Sequence, residues 1–189
     1  ASYRRQRQMC IRDRFNAGGI IFMIIGIGLS KMLADKYGKR NVFGVFLFIS
    51  TLFILVFYVL SPDSINLIFG AQIFHGFFYG ITIPLLWAMI ADVADYSEWK
   101  NNRRATAIIF SAMMVGLKLG LSIGGALVAS ILGSYGYVPN SVGEQTESAI
   151  LGTKMLVSIF PSIPFLVAAA LLFFYICLLY TSDAADDRM

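Results

Sequence analysis

The sequence has 189 residues, of which 58% are hydrophobic and 14% charged, with a formal net charge of +4 and a mean hydropathy of +0.73. Soluble domains contain roughly 45–50% apolar and 25% charged residues. This composition excludes an ordinary soluble globular domain and predicts that most of the chain lies in a lipid bilayer.

The two ends of the chain are related to each other at the level of DNA. Codons can be chosen for Cys177 to Asp187 whose reverse complement, in a shifted frame, encodes Arg4 to Asp13. Ends with this relation resemble a sequencing adapter that has been translated at both edges, and such segments are set aside before fold reasoning. We therefore expect residues 1–14 and 177–189 to be adapter-derived and residues 15–176 to be the natural part.

Removing the two ends changes what charge and cysteine content imply. Both cysteines, Cys10 and Cys177, lie in the ends, so the natural part offers no argument about redox compartment. It carries nine Lys/Arg and seven Asp/Glu, and this small excess of positive charge predicts no nucleic-acid partner.

Five apolar stretches divide the natural part, and each is at least about 18 residues long, enough to cross a hydrocarbon core of ~30 Å. They run from Asn16 to Ala34, Val42 to Leu60, Leu67 to Ala94, Thr106 to Leu132 and Met155 to Ile176. The third and fourth are long enough that we expect them to be tilted, kinked or projecting from the bilayer. The sequence thus predicts an all-α membrane protein with five transmembrane helices.

The connections between these stretches alternate in charge. The first and third contain or adjoin the basic residues Lys31, Lys36, Lys39 and Arg40, and Lys100, Arg103 and Arg104, respectively. The second and fourth contain no Lys or Arg. Because cytoplasmic loops are enriched in these residues, the first and third connections are predicted to be cytoplasmic.

The first connection, Leu33 to Arg40, is a very short basic turn. Gly38 permits a tight reversal, Asp35 can meet a helix N-terminus or a neighbouring Arg, and the cations lie near helix C-termini and anionic lipid. This turn resembles the cytoplasmic loop signature of the major facilitator superfamily. The resemblance implies that Asp35, Gly38 and Arg40 belong to a cytoplasmic gate.

The third apolar stretch carries a polar stripe at helical spacing, formed by Gln72, His75, Tyr79 and Thr82. Such a stripe suits hydrogen bonding to a hydroxyl-rich substrate, and Trp87 further along is able to stack on a sugar ring. His75 has two interpretations: an interhelical hydrogen bond, which is the more common role, or a proton relay.

A charged motif follows the third stretch, running from Ala91 to Lys100 and on to Arg104. It is similar to the A-D-x-x-D-Y-x-E-[WY]-K…R signature of the glycoside-pentoside-hexuronide:cation symporters. Its charges have two interpretations, a solvated turn or a salt-bridge lock that forms in one access state and breaks in the other. The resemblance implies gate roles for its charged residues, namely Asp92, Asp95, Glu98, Arg103 and Arg104.

Lys118 lies near the middle of the fourth stretch. A lysine at this depth costs at least about 2.5–3.5 kcal/mol on insertion scales, so it should face a water-filled cavity or a carboxylate. It is either a structural lysine paired inside the bundle or a charge in the transport pathway, with Ser111 on the same helical face. On the opposite face Gly116, Gly120 and Gly124 recur every four residues, which predicts a packing seam.

The symporter resemblance implies that the chain holds helices eight to twelve of a twelve-helix transporter in the bacterial inner membrane. A missing N-terminal half would carry the acidic residues for the coupling cation, Na⁺ or H⁺, and no other cofactor or metal is expected. The substrate would be a sugar or glycoside, approached by Lys118, Tyr79 and Trp87, with membrane lipid around the helices. The alternatives are the same fold with a lipid, drug or organic anion as cargo, and a non-transporting membrane assembly or sensor. We expect no enzyme activity, because no nucleophile, metal cluster or phosphate loop accompanies the carboxylates.

Overall fold

The computed structural model describes residues 2–60, 64–102, 105–138 and 145–172. Within these ranges the chain forms five α-helices and no β-strand. The helices are α1 (Ser2–Tyr37), α2 (Lys39–Val59), α3 (Ile65–Asn101), α4 (Thr106–Ser134) and α5 (Glu147–Leu171). Each contains a segment long and apolar enough to cross a membrane, which confirms the predicted fold class.

The predicted boundary between residues 14 and 15 is not marked by a break in the helix, because α1 begins at Ser2 and continues without interruption. The side chains of Cys10, Asp13 and Arg14 are exposed. Residues 177–189 lie outside the described residues. The assignment of both ends to adapter-derived sequence therefore stays a prediction.

Helices α1 and α3 pack with their backbones in close contact at glycines. A Cβ atom at Gly76 would lie 2.5 Å from the carbonyl oxygen of Gly19, and one at Gly80 would overlap the carbonyl oxygen of Met23. The reciprocal contact is made by Gly26 of α1 against Phe77 of α3. Small residues at a helix interface permit this approach, and any side chain at these positions would force the two helices apart.

Helix α2 packs on α3 and α5 around an apolar cluster formed by Ala34, Val42, Phe43, Leu47, Ile81, Leu85 and Met89. Stacked aromatic rings extend this contact, since Phe53 of α2 lies 5.5 Å from Phe74 and 5.6 Å from Phe78, measured between ring centroids. Aromatic pairs at such distances add to the stabilisation from burial. The result is a tight group of four helices, α1, α2, α3 and α5.

Helix α4 stands apart from this group. It has no buried residue, and nothing lies within 4 Å of a Cβ atom built at Gly116, Gly120 or Gly124. The packing seam expected on this glycine face is therefore unoccupied within the described residues.

Helix α3 is longer than a bilayer requires. Its 37 residues correspond to about 55 Å at the usual rise of an α-helix, against ~30 Å for the hydrocarbon core. Pro84 lies inside it, and the C-terminal turns carry the charged motif. The length of the helix therefore agrees with the expectation that this span is tilted, kinked or projecting from the bilayer, and the choice among the three stays a prediction.

Candidate functional site

The turn between α1 and α2 is made by Gly38. Its φ of 81° lies in the left-handed region that side chains disfavour, and its N–H donates to the carbonyl of Ala34 at 2.9 Å. The next helix begins at Lys39, immediately after this residue. The tight reversal predicted at Gly38 is confirmed.

Two cations that follow this turn attach it to two different helices. Lys39 Nζ lies 2.8 and 2.9 Å from the two carboxylate oxygens of Asp92 on α3. Arg40 Nε donates to the backbone carbonyl of Leu172 at 3.0 Å, just beyond the end of α5. The Lys39 and Asp92 side chains are 46% and 39% exposed, so the ion pair lies at the edge of the bundle above its apolar core. We call Gly38, Lys39, Arg40 and Asp92 the charged turn.

The other predicted gate residues surround the charged turn or lie beyond it. Asp35 is exposed one turn before the end of α1, and Asp95 and Glu98 are exposed in the last turns of α3. Arg103 and Arg104 lie outside the described residues. The structure thus brings Asp92 together with the turn through Lys39, a residue that the sequence analysis did not place in the gate.

The polar stripe of α3 is partly buried against neighbouring helices. Gln72 lies against α1, with its Nε2 atom 3.0 Å from a Cβ atom built at Gly19. His75 Nδ1 lies 2.9 Å from Ser50 Oγ and 3.3 Å from the Ser50 carbonyl oxygen on α2. This nitrogen is hydrogen-bonded in either tautomer, because it accepts from the hydroxyl or donates to the carbonyl. The interhelical hydrogen bond, one of the two interpretations of His75, is confirmed.

Tyr79 and Thr82 continue the stripe in similar surroundings. The Tyr79 ring stacks on His75 at 5.7 Å and meets Phe165 of α5 at 6.0 Å between centroids. Thr82 is buried, and its hydroxyl donates to the carbonyl of Tyr79 at 2.7 Å. Both residues thus contact protein in this structure, and their part in a substrate pathway stays a prediction.

Trp87 and Ser111 lie where α3 meets α4. The Trp87 ring stacks on Phe110 of α4 with 6.3 Å between centroids, and the residue is 37% exposed. Ser111 follows Phe110 directly, is exposed, and donates to the carbonyl of Ile108 within its own helix. This pair of helices therefore carries an accessible aromatic ring on α3 and an exposed hydroxyl on α4.

Lys118 is exposed on α4, two turns beyond Ser111. Among the residues that the structure describes it has no ion-pair partner, and its carbonyl accepts a hydrogen bond from Ser122 Oγ at 2.9 Å. Among the described residues, no contact connects Tyr79 with Lys118. A shared cavity for them stays a prediction.

Sequence reasoning missed three features of this arrangement. Ser50 as the partner of His75 carries no local signal, because a lone serine in an apolar helix most often bonds its own backbone. Lys39 as the partner of Asp92 carries no local signal either, because the two residues lie 53 positions apart, with α2 and most of α3 between them. The third feature, the Gly76 and Gly80 contact, did have a signal, since G-x-x-x-G in an apolar helix marks a packing face.

Comparison with known proteins identifies the family of this chain. Residues 13–176 match the family described as MFS/sugar transport protein. The chain is 35% identical, over 84% of its length and 58% of the relative's, to an uncharacterized 29.9 kDa protein in the crtE 3'region of Pseudescherichia vulneris. It is 30% identical to the glucuronide carrier protein homolog of Escherichia coli K12, over 76% of the chain and 31% of that protein. For the inner membrane symporter YicJ of the same organism the values are 32%, 77% and 32%.

The chain thus spans 58% of the first of these relatives and about a third of the other two. No solved structure matches it. The family match nevertheless covers most of the chain, including the charged turn, the polar stripe and Lys118. The chain therefore belongs to the MFS/sugar transport protein family, in agreement with the sugar:cation symporter relationship predicted from its motifs.

Proposed function

We propose that this chain is the C-terminal transmembrane part of a secondary transporter of the bacterial inner membrane that moves a sugar or glycoside together with Na⁺ or H⁺. The observation that carries the proposal is the family match over residues 13–176. The names of the relatives support both halves of it, because one is a glucuronide carrier homolog and another is an inner membrane symporter.

The charged turn supplies an element that alternating access requires. A transporter of this kind needs contacts that are made in one access state and broken in the other. An exposed ion pair such as Lys39 with Asp92 contributes only ~0–1 kcal/mol, so it can open and close without a large barrier. We assign it the role of a cytoplasmic lock, together with the neighbouring Asp35, Asp95 and Glu98 and with Arg103 and Arg104.

The α3 and α4 pair supplies groups for a sugar. Trp87 is accessible enough to cover the apolar face of a sugar ring, and Ser111 offers a hydroxyl for hydrogen bonding. Lys118 adds a positive charge, which suits an acidic sugar such as a glucuronide. Gln72, Tyr79 and Thr82 would contribute only in a state where α3 separates from its neighbours.

Coupling to the cation is assigned to residues outside this chain. The carboxylates that bind Na⁺ or H⁺ would lie in an N-terminal half of the protein. Helix α4 would pack against that half. No other cofactor, metal or covalent intermediate enters the proposal, and we do not expect enzyme activity. Such a transporter works by moving its helical halves around a site near the bilayer midplane.

Transport by the full-length protein that carries this sequence tests the proposal directly. Purified protein in proteoliposomes should exchange a radiolabelled glycoside across the membrane, and an inward Na⁺ or H⁺ gradient should accelerate net uptake. Glucuronide and a neutral glycoside, assayed in parallel, report whether negative charge on the sugar is favoured. The absence of exchange and of binding for every glycoside in protein that is correctly inserted would contradict the proposal.

A second cargo class has one observation in its favour. Lys118 is exposed and has no ion-pair partner in the part of the chain that the structure describes, so it would suit any organic anion as well as an acidic sugar. Competition by non-sugar anions in the same exchange assay separates the two. Inhibition by sugars alone favours the sugar transporter.

A further inference from the structure

A cavity of about 440 Å³ lies at the opposite end of the bundle from the charged turn. It is formed where the end of α2 and the start of α3 meet α5, with Tyr137 and Gln145 completing its lining. Phe57, Leu60, Ile68 and Val157 supply apolar wall, and Lys154 supplies the positive charge among its lining residues. This volume falls within the range of pockets that hold small organic ligands.

Most polar groups of this cavity are already engaged by the protein. Gln145 holds the backbone of Val138, accepting from its N–H at 3.3 Å and donating to its carbonyl at 2.8 Å. The hydroxyl of Thr153 donates to the Ala149 carbonyl at 2.8 Å. These groups are therefore poorly placed to recognise a sugar, which needs several free hydrogen-bonding partners.

Lys154 is the exception, because its charge is not neutralised by any acidic residue in the described ranges. Its ammonium lies 5.4 Å from the ring centroid of Tyr58, and the residue is half-buried. An ammonium group has three N–H donors, and a contact with an aromatic face does not occupy all of them. Lys154 can therefore still donate hydrogen bonds to an anion.

Lys154 directly precedes Met155, where the apolar stretch predicted from the sequence begins, so it is expected at the headgroup level of a bilayer. It lies seven residues after Glu147, where α5 begins, or about 10 Å along the axis, and the apolar stretch of the helix follows directly. Tyr58 and Tyr137 are aromatic residues of the kind that occupy a membrane interface. Around the cavity Ile150 and Val157 are 51% and 55% exposed, so its surroundings are lipid-compatible.

We propose that this cavity binds an acidic phospholipid from the leaflet opposite the cytoplasm. The lipid phosphate would accept hydrogen bonds from Lys154, and an acyl chain would lie along Phe57, Ile68 and Val157. Charge complementarity and the apolar wall together select this occupant, because a sugar leaves the apolar wall unused and a zwitterionic lipid carries its own cation, which offsets the attraction between its phosphate and Lys154.

Native mass spectrometry of the full-length protein tests the proposal. Protein equilibrated with equal amounts of phosphatidylglycerol and phosphatidylcholine should retain more phosphatidylglycerol. Lys154→Gln should lower this preference about fivefold, the effect of one cation near the surface. Lys100→Gln is the matched control, because Lys100 also lies over a tyrosine, 5.8 Å from the centroid of Tyr96, but does not line the cavity and follows the predicted end of its span at Ala94 by six residues. It should leave the preference unchanged.

A second variant keeps the test decisive if Lys154→Gln does not fold. Val157→Trp places a bulky side chain at the cavity while leaving the lysine in place, and it should reduce retention of phosphatidylglycerol. Addition of inorganic phosphate should not displace the lipid, since a free anion makes no contact with the apolar wall. Equal retention of both lipids, an unchanged preference in the Lys154 or Val157 variant, or displacement by phosphate would each overturn the proposal.

Discussion

Helices α3 and α4 both carry glycines four residues apart, Gly76 and Gly80 in the first and Gly116, Gly120 and Gly124 in the second. In α3 they touch the backbone of α1, whereas in α4 none has a neighbour within 4 Å of a Cβ atom. The spacing is the same, and the surroundings are opposite. A small-residue repeat therefore indicates that a helix can be approached closely, but the rest of the fold decides whether a partner is there.

The same contrast extends to the polar residues of the two helices. On α3 the side chains of His75 and Thr82 are hydrogen-bonded inside the bundle, while on α4 Ser111 and Lys118 are exposed. We interpret the interior of the group α1, α2, α3 and α5 as a scaffold, and α4, with the exposed charged turn and Trp87, as the part available to other elements or to substrate.

The largest effect that distinguishes the two helices should come from enlarging one glycine in each. Gly80→Leu forces a side chain into the Met23 backbone and should destabilise the full-length protein by ~1–3 kcal/mol or more, as overpacked cores do. Gly120→Leu meets nothing within the described helices. Thermal unfolding in detergent, followed by size-exclusion chromatography, measures both.

The two variants test different helix contacts. A stable Gly80→Leu protein would contradict the close contact between α1 and α3. An equal loss in Gly120→Leu would instead show that a helix outside the described residues covers the glycine face of α4, the packing seam predicted from its sequence.

Much of the fold was predictable, because each span is a long apolar segment whose helix formation satisfies its own backbone in lipid. The predicted span from Val42 to Leu60 nearly coincides with α2, which covers Lys39–Val59. The span predicted to end at Ala94 continues to Asn101, because a charged segment outside the bilayer can remain helical and hydropathy does not report it. The sequence marks both glycine faces as possible packing faces, but it could not predict which of them has a partner, since the glycines of α3 and α4 have the same local pattern.

A smaller effect should follow from removing the hydrogen bond between α2 and α3. Ser50→Ala takes one partner from His75, and such interhelical bonds are worth ~0.6 kcal/mol on average in membranes, up to ~1.7. Ser158→Ala is the matched control, because Ser158 is equally buried but bonds the Lys154 carbonyl of its own helix. A double-mutant cycle with His75→Ala measures the coupling, and a coupling of zero would contradict the contact.

The smallest effect on stability should come from substitutions in the charged turn. We expect such substitutions to affect transport more than stability. Lys39→Asp should change stability by no more than ~1 kcal/mol, because both partners are exposed and screened. It should alter the balance of access states, and the added change Asp92→Lys should restore that balance. Accessibility of an introduced cysteine on the cytoplasmic side measures it, with Lys36→Asp as the control.

If the double charge reversal fails to restore accessibility, the assignment of the ion pair to the cytoplasmic gate is wrong.

The pair itself was not predictable, because Lys39 and Asp92 lie 53 positions apart and meet only through the packing of α2 on α3. By contrast, Gly38 was predictable from a local rule, since a reversal this short requires a residue that tolerates positive φ. The site was thus accessible to sequence reasoning where chemistry is local and inaccessible where it depends on tertiary contacts.

The most direct test of the division between scaffold and functional helix is Lys118→Ala in the full-length protein, with surface abundance and glycoside counterflow measured on the same cells. Removing an unpaired lysine from this depth should leave insertion intact, so we expect normal abundance with loss of transport. A structural lysine would leave a buried carboxylate behind and destabilise the protein by ~3–5 kcal/mol, lowering its abundance. Reduced abundance, or normal abundance with near-normal transport, would contradict the assignment of Lys118 to the transport pathway.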